Sequence, residues 1–228
     1  MIDITCLAVF GVVTYLVAAE GAWGAATTLV AVILSGVLAM NWFEPLADFL
    51  TASVSNSPSM APRWDIVALL GLFAAGIAGA RFAVEKMQPT DLPVESKTYD
   101  ILRWTCGLGT GYVVMAVLLT SLHVAPLNPG AMGFQPERDN VFGDAPDRRW
   151  LGHVQYLSEN PFATYDSGVK VVFDGPSYSL LPGAQSYRWS SMPMRYHTRR
   201  LVQSGLIAPR RSTTTPGRGS RPRSRAAF

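Results

Sequence analysis

The chain has 228 residues, of which 49% are hydrophobic and only 15% charged, and its formal net charge is +3. A mean hydropathy of +0.19 is unusual for a soluble domain of this length and favours a membrane protein. Five of the 19 lysines and arginines fall in residues 1–130 and fourteen in residues 131–228, which indicates an apolar half followed by a basic, polar tail.

Four apolar stretches follow one another in the first half of the chain. They cover residues 4–19, 22–43, 66–84 and 104–124. Each is close to the roughly 20 helical residues that cross a hydrocarbon core of about 30 Å. Because lipid cannot hydrogen-bond a backbone, each stretch is expected to be a helix. The prediction is an all-α membrane protein with four transmembrane helices in two antiparallel hairpins.

A cleaved signal peptide is the alternative for the first stretch, because Val17-Ala-Ala19 has the small residues of a cleavage site. However, no lysine or arginine precedes this stretch, and a second apolar stretch follows at once. The flanking residues therefore favour a retained membrane helix.

The segment VAAEGAWGAA, residues 17–26, connects the first two stretches through a very short turn. This spacing predicts a turn at the membrane interface, where the Glu20 carboxylate is solvated and needs no catalytic or ion-conducting role. Trp23 beside the turn is typical of the interfacial aromatic belt. Further tryptophans near the other boundaries fit the same belt: Trp42, Trp64 and Trp104.

The third and fourth stretches carry small residues at a spacing of four, which lets helix backbones approach closely in lipid. We expect these two faces to pack together, although glycine and alanine are also frequent in membrane helices generally. The candidate packing residues are Ala75, Gly76, Gly79, Ala80, Gly107 and Gly111. The segment 107–112 is neither a phosphate-binding loop nor a potassium filter, because it lacks the preceding strand, the following lysine and a pore helix.

The helices and turns of the apolar half follow one another in a recognisable order. The chain opens Met-Ile-Asp, turns at Glu20-Gly21, and runs its second helix into NWFEPLADFL, residues 41–50, before a glycine-rich fourth helix. The Glu-Pro pair in this segment predicts the end of the second helix. The most specific part is an aromatic-x-Pro-Leu-Ala ending, which here consists of Phe43, Glu44, Pro45, Leu46 and Ala47. Over residues 1–125, this order resembles the colicin V production protein (CvpA) family.

The resemblance implies a multi-pass protein of the bacterial inner membrane that carries no catalytic motif. It further implies a scaffold or accessory role in colicin V production or export and in envelope maintenance. The implied partners are secretion or envelope membrane proteins, or further copies of the chain. The family often has Arg-Gly in the first turn where this chain has Glu20-Gly21, and the glycine spacing of the fourth helix matches loosely. A role that depends on that arginine is therefore not implied.

DAPDRRWLGHVQYLSENP, residues 144–161, predicts a short amphipathic helix. Gln155 lies mostly off its apolar face, which holds Trp150, Leu151, Val154 and Leu157. Such a helix either lies on the membrane surface, covers the bundle or packs in a small tail subdomain, and the sequence leaves these three possibilities open. VKVVF, residues 169–173, predicts one strand.

After Asp174 the chain has no acidic residue and gains ten arginines. Its end is expected to be disordered and to attract anionic lipid or cell-wall polymer, with nucleic acid less favoured. The candidate contacts are Arg199, Arg200, Arg210 and Arg211. Solubilising charge is the alternative. The predicted divisions are a membrane domain over 1–128, a juxtamembrane segment over 129–174 and a basic tail over 175–228.

The motifs of common enzymes are absent from the sequence, which lacks G-x-S-x-G, H-E-x-x-H and C-x-x-C, and neither a cofactor nor a metal is predicted. His123, His153 and His197 show no ligand spacing, and Cys6 and Cys106 fall in apolar stretches. Two function classes remain, a membrane scaffold and a small oligomeric transporter or channel. Uncharged polar residues at the helix centres favour the scaffold: Thr14, Thr27, Thr28, Ser35 and Thr110.

An even number of spans places both termini on one side of the membrane and the loop of residues 86–100 on the other. The basic residues near the loop side are Arg81, Lys86, Lys97 and Arg103, against Arg63 and Arg138 on the terminal side. The positive-inside rule therefore predicts a cytoplasmic loop and extracytoplasmic termini. The basic tail argues for the opposite orientation, because arginines suit the anionic inner leaflet.

Overall fold

The fold was analysed in a computed structural model of the chain. The structure describes residues 1–54, 57, 60–87, 96–127, 133–134, 140–166, 169–173, 175–176, 192–193, 196–197 and 201. Within these, four long helices match the four predicted stretches: α1 (Ile2–Ala19), α2 (Gly21–Ser53), α3 (Ala61–Met87) and α4 (Ser96–Val124). All four are long and apolar enough to cross a membrane. The prediction of four membrane-spanning helices is confirmed to that extent.

A shorter helix and a small sheet follow the four long helices. Helix α5 spans Pro146–Glu159, within the segment predicted to be an amphipathic helix. The strands are β1 (Thr164–Asp166), β2 (Val169–Val172) and β3 (Gly175–Pro176). They form an antiparallel sheet in the order β1-β2-β3, so the segment predicted as a lone strand has a partner on each side.

The closest helix pairs are not the two consecutive hairpins. Helix α2 packs most extensively along α3, and α1 packs along α4, while α2 also contacts α4. The consecutive pairs α1–α2 and α3–α4 contact each other much less. Helices α2 and α4 therefore form the centre of the bundle.

The glycines of α4 pack against a different helix from the one predicted. A Cβ atom at Gly107 would lie 2.9 Å from the carbonyl oxygen of Thr14, and one at Gly111 would lie 2.8 Å from that of Phe10. Both glycines thus bring α4 against the backbone of α1, and not against α3. The spacing of small residues encodes a close approach, but it does not encode which helix approaches.

The small residues of α3 divide between a packed face and an open face. A Cβ at Gly76 would lie 2.9 Å from the Cβ of Ser35 on α2, so Gly76 is a packing residue with α2 as its partner. Gly79 has open space around it and Ala75 is exposed, whereas Ala80 is half-buried. The predicted α3 packing face is therefore used only in part.

Helix α2 does not end at Pro45 but continues through it to Ser53. Proline removes one backbone hydrogen bond, and membrane helices tolerate this loss where neighbouring helices support the segment. Phe43 and Ala47, on either side of Pro45, are both buried in the main core, and Leu46 packs against it. The packing of this segment thus outweighs the local signal for a helix end.

The main core joins α2, α3 and α4 to the segment that follows them. Trp150, Leu151 and Val154 of α5 are buried in this core. The Trp150 ring lies only 2.5 Å from the point that a Cβ at Gly36 would occupy, so glycine is needed there for α5 to dock. Of the three possibilities left open by the sequence, the structure shows α5 covering the bundle.

Candidate functional site

Two polar clusters lie at opposite ends of the bundle. One surrounds Glu20, which directly follows α1, and the other surrounds Asp3, in the first turn of the same helix. We call the first the Glu20 cleft, lined by Glu20, Gly24, Thr27, Thr28, Arg81, Val84 and Glu85. We call the second the α5 junction, formed by Asp3, Tyr112, His123, Asp144 and Asp147.

The position of Glu20 depends on the glycine that follows it. Gly21 has a φ of +90°, and a Cβ at this position would also collide with the hydroxyl of Tyr99. Glycine is the residue that adopts such a conformation without a steric penalty. The chain therefore reverses here within one residue, and Glu20 is directed towards α2 and α3.

Glu20 bridges two helices instead of facing only solvent. Arg81 Nη1 donates to Glu20 Oε1 at 2.5 Å, and the Thr28 hydroxyl donates to Oε2 at 3.1 Å. The side chains of Arg81 and Glu20 remain 40% and 28% exposed, so the ion pair contributes at most about 1 kcal/mol. Glu20 is exposed at the turn, as expected, but its carboxylate also pairs with Arg81, which lies 61 residues away in sequence and is not indicated by the turn itself.

The cleft beside this ion pair has a volume of roughly 90 Å³. A cleft of this size has room for several water molecules or one small polar group. Glu85 adds a second carboxylate to the lining. The arrangement therefore offers one guanidinium and two carboxylates within a small volume between α2 and α3.

The α5 junction contains a fully buried contact between a histidine and an aspartate. His123 Nε2 and Asp147 Oδ2 are 2.7 Å apart, and both side chains are 0% exposed. His123 lies in the last turn of α4 and Asp147 in the first turn of α5, where each helix dipole favours the charge that its side chain can carry. The ring of Phe134 packs edge-on against His123, with 4.9 Å between ring centroids.

A strained loop leads into α5. Val141, Phe142 and Ala145 all have φ between 48° and 56°, a conformation that side chains other than glycine adopt at a cost. The Val141 N–H donates to Asp3 Oδ1 at 3.0 Å, and the Tyr112 hydroxyl donates to Asp144 Oδ2 at 2.8 Å. Contacts from α1 and α4 thus hold the loop in this conformation.

Three buried polar atoms on α5 lack a partner among the described residues: Asp147 Oδ1, Trp150 Nε1 and Gln155 Oε1. Gln155 was expected mostly off the apolar face, but it is buried and its amide donates to Glu159. The buried face of α5 is therefore more polar than the pattern of its apolar residues indicates.

Part of the tail also reaches the bundle. The Tyr196 hydroxyl donates to Glu44 Oε1 at 3.2 Å, and its ring lies near that of Phe43. Met192 is fully buried in the same core. The candidate polyanion contacts lie outside the described residues: Arg199, Arg200, Arg210 and Arg211.

The remaining chemistry of the described residues is limited. Cys6 and Cys106 are free, buried thiols, and no group of three His, Cys, Asp or Glu side chains in the described ranges could hold a metal ion. The His123–Asp147 contact was not predicted from the sequence. Its only signal was a histidine ending an apolar stretch and an aspartate opening an amphipathic one.

No protein-family model, curated protein or solved structure matches the chain.

Proposed function

We propose that the chain is a non-enzymatic membrane scaffold in which α5 forms a fixed platform on the helix bundle. The observation that carries this proposal is the buried His123–Asp147 contact. Burying two ionisable groups costs free energy that their attraction only partly offsets. Here the pair joins the end of α4 to the start of α5, and thereby fixes where α5 lies.

Three polar residues of α4 support a scaffold over a transport path. The hydroxyls of Thr110, Thr120 and Ser121 each donate to a backbone carbonyl of their own helix. They are therefore satisfied locally and do not form a row of groups that replaces the hydration shell of a solute. The Trp150 ring also fills the space beside Gly36, which lies within the apolar stretch of α2.

The more detailed parts of the proposal come from the resemblance to the colicin V production family. We place the chain in a bacterial inner membrane, with α5 and both termini extracytoplasmic. Its role there is accessory to toxin production or export and to envelope maintenance. Its partners are secretion or envelope membrane proteins or further copies of the chain, and the basic tail contacts anionic lipid or cell-wall polymer.

Site-specific photocrosslinking in native membranes tests the scaffold role. A photoreactive residue replaces Tyr156, which is 61% exposed on α5, or Leu34, which is 62% exposed in the apolar stretch of α2. The proposal predicts discrete protein adducts from position 156 and lipid adducts from position 34. Lipid adducts alone from both positions would contradict it.

A flux assay distinguishes the alternative, a small oligomeric transporter or channel. The purified chain is reconstituted into liposomes, and the fluxes of protons, potassium and chloride are compared with those of empty liposomes. The scaffold proposal predicts equal fluxes. A flux specific for one solute, and reduced by Thr110→Val or Thr120→Val, would replace the scaffold with the transporter.

A further inference from the structure

We infer that the Glu20 cleft binds the headgroup of a zwitterionic phospholipid with a primary amine, of the phosphatidylethanolamine type. In this arrangement the lipid phosphate contacts Arg81, and its ammonium group contacts Glu85 and Glu20. The site lies at the end of the bundle opposite α5, so it does not depend on the scaffold proposal.

The position of the cleft suits a lipid headgroup. It lies between the first turns of α2 and the last turns of α3, which has the least buried apolar stretch of the four spans, at 17%. Trp23 and Phe82 are exposed close by in sequence, and exposed aromatic side chains of this kind mark the interface between headgroups and acyl chains. A lipid bound there keeps its chains against the outer face of α3.

Arg81 supplies the contact for the phosphate. A guanidinium has five N–H donors in a planar fork, and the contact with Glu20 uses only Nη1. Because the side chain is 40% exposed, its other donors can form charge-assisted hydrogen bonds with phosphate oxygens.

The two carboxylates select the other end of the headgroup. One guanidinium and two carboxylates leave the lining with one excess negative charge. A zwitterionic headgroup adds no net charge and places its ammonium beside the carboxylates, whereas an anionic headgroup would add a second excess negative charge. A primary ammonium has three N–H donors and is small enough for a cleft of roughly 90 Å³. A trimethylammonium group has no N–H donor and is recognised mainly by aromatic cages, and a glycerol headgroup brings no positive charge. The cleft therefore favours phosphatidylethanolamine over phosphatidylcholine and phosphatidylglycerol.

Native mass spectrometry of the full chain, titrated with these three lipids carrying identical acyl chains, tests the inference. We expect one site that binds phosphatidylethanolamine at least tenfold more tightly than the other two lipids. Arg81→Gln and Glu85→Gln should each lower this affinity about tenfold, which corresponds to about 1.4 kcal/mol. The matched control is Asp100→Asn, which removes the ion pair with Arg103 near the same end of the bundle and should leave binding unchanged.

Equal binding of the three lipids by the wild-type chain would overturn the inference, and this comparison needs no variant to fold. An unchanged affinity in both cleft variants would also overturn it. A competition arm with soluble phosphoethanolamine identifies the source of the headgroup. We expect no displacement of the lipid at millimolar concentration, and binding of the soluble compound as tightly as the lipid would overturn the assignment to a lipid.

Discussion

At the scale of single residues, the α5 junction contains two ionisable side chains that are fully buried. His123 and Asp147 have no access to solvent, and the ring of Phe134 covers the histidine. Neither side chain can exchange its partner for water without α5 moving. The contact therefore holds the start of α5 against the end of α4.

The first residue-scale prediction concerns His123. His123→Ala leaves the Asp147 carboxylate buried without its partner, and breaking a buried pair in this way costs about 3–5 kcal/mol. Chemical unfolding of the detergent-solubilised chain measures the loss. His153→Ala is the control, because His153 is exposed on α5 beside the Trp150 ring and its loss should cost far less. Equal losses of unfolding free energy for the two variants would mean that the His123–Asp147 contact has no special role.

The second residue-scale prediction concerns Gly21, whose positive φ sets the turn before α2. Gly21→Ala should lower the free energy of unfolding by about 1–2 kcal/mol, the cost of a Cβ in a left-handed conformation, while the Tyr99 hydroxyl, at the end of its side chain, has to move aside. Gly11→Ala, in an open part of α1, should be neutral or stabilising because alanine favours the helix. The same unfolding assay compares them, and a tolerated Gly21→Ala would refute the strained turn.

At the scale of helices, close backbone contacts decide which helices pair. Gly107 and Gly111 allow α4 to approach α1, and Gly76 allows α3 to approach α2. These contacts place α1, the first helix of the apolar half, against α4, its last helix. The short α1–α2 turn then connects two helices that touch each other only a little.

The element-scale prediction separates the two glycine faces. Gly111→Leu should disrupt the α1–α4 contact, because its side chain would enter the space of the Phe10 carbonyl and the Thr14 side chain. Gly79→Leu should be tolerated, since nothing lies near Gly79. Thermal stability in detergent compares the variants. If Gly79→Leu were the more damaging of the two, α3 would use this face against another helix.

Sequence patterns predicted individual helices better than their partners. The apolar stretches predicted four spans because the thickness of a bilayer fixes their length. The periodicity of residues 144–161 predicted Trp150, Leu151 and Val154 on one face, and all three are buried. The Glu20–Arg81 and His123–Asp147 contacts were not predictable, because each joins residues that are distant in sequence and depends on which helices pair. Pro45 was misread because packing around α2 outweighs its local effect.

At the scale of the whole molecule, the two ends of the bundle carry different structural elements and different charged side chains. Val141, in the loop before α5, contacts Asp3 of α1, so the start of the chain and α5 lie at one end. The other end carries the Glu20 cleft together with Arg81, Lys86 and Arg103. The orientation of these two ends relative to the cytoplasm is a prediction from the positive-inside rule.

The whole-molecule prediction concerns this orientation. A reporter that fluoresces only in the cytoplasm, fused after Phe228, should remain dark, whereas an alkaline phosphatase fusion at the same position should be active. A bright fluorescent fusion would reverse the orientation. The platform would then face the cytoplasm, and the scaffold would have cytoplasmic partners.

The most direct measurement of the central claim, that the buried pair fixes α5 on the bundle, is hydrogen–deuterium exchange of α5 in lipid nanodiscs. The account predicts that its backbone amides exchange as slowly as those in the last turns of α4. In His123→Ala, a loss of about 3 kcal/mol should make α5 exchange roughly a hundredfold faster while α1 and α4 stay protected. Rapid exchange of α5 in the wild-type chain, or equal protection in both proteins, would contradict the account.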